Sequence, residues 1–157
     1  MVRAIRDDNG GLPADQHISF TPENATAMLP LVRRIVDELT RLSQSIEAQR
    51  RQVRGVADLN ETSSQPDYQD ELNDIHSTIA EEEERLQSCL QELSALGIEP
   101  HMPINGYVDF PTSLNRRGVQ LCWHPGEKEV SHWHEIGEAA EDRKRIDHHK
   151  FGNETLN

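Results

Sequence analysis

Aromatic residues are scarce in this chain of 157 residues: they make up 4% of it, and hydrophobic residues of every kind only 34%. So thin an apolar supply suits long helices with a narrow buried stripe better than a thick globule. Positive charge is scarce as well. A net charge of −12 argues against a nucleic-acid partner, because such proteins draw affinity from Lys and Arg neutralising phosphates. No apolar run approaches the ~18 residues that read as a membrane span. The N-terminal MVRAIRDDNGGLPADQH has no apolar core of the signal-peptide kind. The expected location is the cytoplasm, with neither a membrane nor a nucleic acid as partner. Cys89 and Cys122 are too few and too far apart to read as a disulfide framework. No G-x-S-x-G, glycine-rich phosphate loop or H-E-x-x-H pattern occurs.

What the chain does have is periodicity. After residues 1–17, which read as a flexible arm, Thr21 can cap a helix, Pro22 suits its first position, and Glu23 suits its positive end. Apolar positions then run Met28, Val32, Ile35, Leu39, Leu42, Ile46, Gln49, Val53, Val56, stepping by four and three. Only Gln49 is polar. The stretch Asn60 to Pro66 breaks the pattern. A second seam follows: Tyr68, Leu72, Ile75, Ile79, Glu82, Leu86, Cys89, Leu93, Leu96, with Glu82 the charged interruption. Gly97 supplies a left-handed cap, Ile98 an apolar residue to fold back, and Pro100 a stop. Two such helices joined by a short loop predict a long antiparallel, coiled-coil-like hairpin over residues 21–97. Arg41, Arg50, Arg51 and Arg54 on the first helix face an acid-rich second helix, from Asp67 to Glu84. The acidic run reads as a solvated face beside a basic partner. Extra apolar residues (Ala25, Leu29, Leu31, Val36 and Leu90) thicken the seam only at the Met28/Leu96 end. The rest of the fold should pack there, leaving the other tip bare for a second copy or a protein partner.

Beyond Pro103 the period changes to that of strands. Tyr107–Phe110 reads as a strand ended by Pro111, Asn115–Gly118 as a turn, Val119–His124 and Val130–His134 as further strands. The economical expectation is a small three-stranded antiparallel meander over 104–136, packed at one end of the hairpin. Glu138–Ile146 reads as a short helix and 147–157 as a loose tail. The fold class is α+β, mainly α, with one domain over 18–146.

The chemistry-bearing residues concentrate between Val119 and Glu138. Cys122-x-His124 and His132-x-His134 sit on neighbouring strands, each pair on one face of its own strand. A register that puts His124 opposite Glu129 separates the pairs; a shift of one residue brings them together as a four-ligand zinc site. His132 is equally readable as a half-buried packing residue, and Cys122, between Leu121 and Trp123, as core. Glu127, His134 and Arg143, with Asp109 beside a proline, form a candidate polar pocket for a small ligand or a shared proton. Candidate metal ligands are His134, Glu127, His124 and His132, for a divalent ion such as zinc.

FTPENATAMLPLV, the paired heptads, then GYVDFP, LCW, GE and WHE in that order, followed by an Arg, resemble domain-of-unknown-function family 2203, over about Phe20 to Ile146. The resemblance implies no established activity. Its characteristic positions fall on Asp109, Phe110, Cys122, Trp123, Glu127, Trp133, His134 and Arg143. The family usually has an aromatic at the position of His132, which favours packing there, and its Gly-to-Arg spacing is stretched here to Gly137 and Arg143. The resulting expectation is a cytosolic, non-catalytic binding or assembly module, a homodimer acting through its helical hairpin. The alternative is a metal- or small-ligand-binding protein or small enzyme with a His/Glu/Arg site on the meander.

Overall fold

A computed structural model describes residues 18–58 and 65–152; the proposed N-terminal arm, most of the polar break and the last five residues lie outside them. The element order is α1 (Pro22–Ala57), α2 (Pro66–Ala95), β1 (Glu99–Pro100), β2 (Val108–Leu114), β3 (Arg117–Trp123), β4 (His132–Glu135), a 3-10 turn (Ala140–Asp142), β5 (Lys144–Arg145) and α3 (His148–Gly152). This is an α+β chain in which helix dominates.

Helix α1 begins as its residues dictate. Thr21 Oγ1 accepts from the Asn24 N–H at 3.0 Å, and Pro22 occupies the first turn. Helix α2 ends in a Schellman pair: the Ile98 N–H reaches the Leu93 carbonyl and the Gly97 N–H that of Ser94, both at 2.9 Å. Gly97 takes φ +79°, a conformation that strains any residue with a Cβ, and a Cβ there would also press on the exposed Ile18 side chain at 2.9 Å.

The two helices pack against each other, and from Glu38 beside Arg85 to Val53 and Arg54 in one pocket with His76 and Ile79 the partners on α2 come earlier as α1 advances. Glu38 meets Arg85, Ser45 and Gln49 meet Glu82, and Arg50 meets Glu83. They therefore run in opposite directions; the residues that join them, 59–64, are outside the described set. The two polar interruptions of the seams find each other: Gln49 Nε2 donates to Glu82 Oε2 at 2.9 Å, and Ser45 Oγ to Oε1 at 3.1 Å. Burial follows the thickness read from the seam. Leu29, Val32, Val36, Leu39, Leu42 and Leu93 are sealed, whereas Val53, Val56, Tyr68, Leu72 and Ile75 are only half-buried.

The sheet corrects the three-stranded expectation. It has five antiparallel strands in the order β1-β2-β3-β4-β5. The added strands, β1 and β5, are two residues each, too short to leave an alternation in sequence. Pro111 does not end β2; it pairs with Gln120 in mid-strand. Its carbonyl accepts from the Phe20 N–H at 2.8 Å on the side away from β3, so its missing N–H also faces that side. The turn between β2 and β3 is two residues, Asn115 and Arg116, both at positive φ (54° and 63°), the geometry that suits the twist of a hairpin. β3 starts at Arg117 and β4 at His132, two residues before and after the expected starts. The expected helix over 138–146 is instead a 3-10 turn and β5, and part of the expected tail is α3, whose Phe151 is buried 5.9 Å from the Trp133 ring.

Alternation divides the sheet. Val108, Phe110, Thr112, Leu114, Val119, Leu121 and Trp123 turn to one face and join the helical core, Phe110 meeting Phe20 edge-on at 5.2 Å. Asp109, Cys122, His132 and His134 share the other face.

Candidate metal centre

Four neighbouring segments place one side chain each on that second face. Asp109 in β2 is directly opposite Cys122 in β3. His134 comes from β4, one step along the ladder, since it pairs with Gln120. His101 extends β1 by one residue, its N–H bonded to the Tyr107 carbonyl at 2.9 Å, so it arrives from the other direction along the strands. The ligand atoms of His101, Asp109, Cys122 and His134 all lie within 4.8 Å of one another. Both imidazoles converge on one oxygen: His101 Nε2 and His134 Nε2 are each 2.8 Å from Asp109 Oδ1. Cys122 Sγ is 4.0 Å from His101 Nε2.

These groups are not on a wet sheet face. Cys122 is 0% exposed, His134 1% and Asp109 7%. Tyr107 helps cover them, its ring 5.7 Å from that of His101, and it also lines a cleft of about 420 Å³ with Thr40 and His124. Burial, and then the Asp109 charge, push the Cys122 thiol up to about 12.

The His134 ring is oriented by its other nitrogen. His134 Nδ1 lies 2.7 Å from the Glu135 carbonyl oxygen. A carbonyl only accepts, so Nδ1 carries the hydrogen. In the neutral ring, Nε2 then presents a lone pair to the Asp109 carboxylate at 2.8 Å. Two acceptors at that distance need a cation between them, either a proton or a metal. An Nδ1–H held by a backbone carbonyl with Nε2 turned inward is the way proteins set a histidine ligand.

A second cluster adjoins the first. Glu127 Oε1 and Oε2 accept from the two Arg143 Nη atoms at 2.8 and 3.1 Å. Glu127 Oε1 also takes the His124 N–H at 3.1 Å, and Oε2 lies 3.3 Å from His132 Nδ1. The loop is pinned through its backbone, the Glu127 carbonyl accepting from Trp123 Nε1 at 2.9 Å and from Arg33 at 3.0 Å. Burial raises the Glu127 pKa, but the bonds from Arg143 and His124 outweigh it and hold the carboxyl below its usual value. Burial likewise lowers the His132 pKa, with Arg143 adding to it.

The expected site residues are thus distributed over two neighbouring clusters. The register is the one that puts Cys122-x-His124 and His132-x-His134 on one face, yet those four do not converge. His124 and His132 turn to Glu127, while His134 turns to Asp109. Of the ligand pocket expected from Glu127, His134, Arg143 and Asp109, Glu127 and Arg143 form one pair and Asp109 and His134 the other. The expected metal set of His134, Glu127, His124 and His132 is divided in the same way. Cys122, read as core, belongs to the polar cluster; its flanking Leu121 and Trp123 face the core, and alternation alone turns Cys122 away from them. His101 carries no signal of its own in the sequence, because its place depends on the two-residue pairing of β1.

Among the described residues no helix is long and apolar enough to cross a membrane. No curated protein and no solved structure matches the chain. Residues 19–146 match the model of an uncharacterized conserved protein family, DUF2203, and the chain belongs to that family.

Proposed function

We propose that this protein binds a divalent metal of the zinc class through His101, Asp109, Cys122 and His134. The observation that carries the reading is the meeting of two imidazole nitrogens on one buried carboxylate oxygen, each at 2.8 Å, with His134 Nδ1 engaged by a backbone carbonyl. Two nitrogens, one sulfur and one oxygen suit a borderline-soft ion in a tetrahedron. Ligand atoms around zinc stand roughly 3.3 Å apart at bond lengths near 2.1 Å, so the two 2.8 Å contacts open by about half an ångström when the ion enters. A divalent ion with one thiolate and one carboxylate is neutral overall, which lowers the cost of burying it.

Four protein ligands leave no open position for water, the pattern of a structural rather than a hydrolytic metal. The ion would tie together the exit from α2, through His101, and the three central strands. That supports the non-catalytic reading over an enzyme. In it, the helical pair is a coiled-coil-like hairpin that acts as an assembly arm. The half-buried Val53, Val56, Tyr68, Leu72 and Ile75 support self-association at its thin end, and a metal thiolate with two unpaired cysteines suits a reducing cytoplasm.

The test is zinc titration of protein stripped with a chelator, followed by calorimetry and thermal melting. One zinc per chain is expected, with about 2.7 kcal/mol of stabilisation at a free concentration 100 times Kd. His134→Ala should bind none. Equal binding by wild type and His134→Ala would overturn the assignment.

A further inference from the structure

Arg143 holds no metal, yet it is buried beside the candidate ligands. Its side chain is 15% exposed. Both Nη atoms are committed to Glu127, and its Cζ sits 5.4 Å from the Tyr107 ring centroid. The ladder brings it to the same face as the cluster. Arg145 pairs with His132, and His132 with Cys122, so Arg143, two residues from Arg145, shares their side of the sheet. Its positive charge acts on Cys122 from there, opposing the rise that burial imposes on the thiol pKa. The guanidinium has five N–H donors, and Glu127 takes only two.

A guanidinium gains little from a neutral thiol. Beside a thiolate the same contact becomes charge-assisted, about twice as strong as a neutral bond. The Glu127 clamp fixes where those donors point. Glu127 is itself held by the His124 N–H and, through its own carbonyl, by Trp123 and Arg33. Every link from the α1 surface to Arg143 is therefore occupied by a hydrogen bond.

We propose that Arg143, clamped by Glu127, is the positioning residue for the Cys122 ligand, donating to the sulfur once it binds the ion as a thiolate. This rests on the metal-site reading above. The hydrogen bond draws charge from sulfur, lowers the energy of its lone pairs, and holds it toward His101, Asp109 and His134. The Glu127, His124 and His132 cluster then serves as support for the metal site rather than as a second site.

Cobalt(II) separates the two claims, because a bound thiolate gives a sulfur-to-cobalt charge-transfer band whose energy reports the electron density on sulfur. Wild type should show the band and Cys122→Ser should lack it. Arg143→Met should move the band to lower energy and weaken cobalt binding by about 10- to 100-fold. Arg143→Lys, which keeps the charge but not the fork, and Glu127→Gln, which loosens the clamp, should fall between. A merely structural salt bridge would alter melting temperature without moving the band. If wild type gives no thiolate band, the metal reading itself fails. If wild type gives it and Arg143→Met leaves band and affinity unchanged, the role of Arg143 alone is overturned. Should Arg143→Met not fold, Arg143→Lys and Glu127→Gln take its place, and an unmoved band with unchanged affinity in both overturns the role in the same way.

Discussion

Glu127→Gln asks whether the pair with Arg143 is a buried interaction or a surface one. Each side chain is 15% exposed, against 52% and 42% for the Arg50–Glu83 pair between the helices. Exposed pairs contribute roughly 0.2–1 kcal/mol, whereas removing one partner of a buried pair costs about 3–5 kcal/mol because the other charge is left uncompensated. The substitution keeps the shape and one acceptor but loses the charge and one bond to Arg143. Since some solvent reaches the pair, the low end applies, about 3 kcal/mol. In a chain of this size that lowers Tm by about 6–12 °C. Arg50→Met should cost under about 1 kcal/mol. The acid limb gives a second readout. The Glu127 carboxyl titrates below its ordinary 4.5 in the folded state, so its contribution is present above that value and is lost as pH falls through the folded pKa. Urea melts followed by circular dichroism from pH 7 to pH 3, with chelator present, measure both. A loss below about 0.5 kcal/mol, with an acid limb like that of wild type, would refute the assignment of this pair as buried.

Cys122 has its folded pKa raised from 9.0 to about 12, so the folded state retains a proton that the unfolded chain sheds. Metal-free protein should keep this contribution below pH 9 and lose it as pH rises toward 12; melts in chelator should show the slope, and Cys122→Ala should remove most of it. Gln49 and Glu82 are the polar pair inside the helical seam. Gln49→Leu alone, leaving a half-buried carboxylate short of a partner, should cost about 1–3 kcal/mol. The Gln49→Leu/Glu82→Leu double variant should be at least as stable as wild type, and sedimentation should show a mixture of oligomers if the polar pair sets register. A double variant less stable than either single one would contradict that role.

The helices were legible because their seams persist over many turns, and the Thr21 cap and the Gly97–Ile98 ending are local devices whose partners lie within one turn. The β2–β3 turn was legible for the same reason. What escaped was non-local. β1 and β5 are two-residue pairings with no period to read, and Pro111 is tolerated inside β2 because its missing donor faces away from β3, toward Phe20. The site followed the same division. Asp109, Cys122 and His134 carried their residue types in plain view, but their grouping depends on a register that eight loop residues between β3 and β4 leave open. His101 reaches the cluster only because α2 ends where it does and β1 pairs with β2. Glu127 pairs with Arg143 and Asp109 with His134, so the four residues expected in one pocket divide into two pairs.

The most direct test of the metal reading is X-ray absorption at the zinc edge on protein loaded with one equivalent of zinc. The expected coordination shell is one sulfur near 2.3 Å and three nitrogen or oxygen atoms near 2.0–2.1 Å, with the sulfur lost in Cys122→Ser and the imidazole scattering reduced in His101→Ala. A shell of nitrogen and oxygen alone, or one unchanged by either substitution, would contradict the assignment of His101, Asp109, Cys122 and His134 as the metal centre.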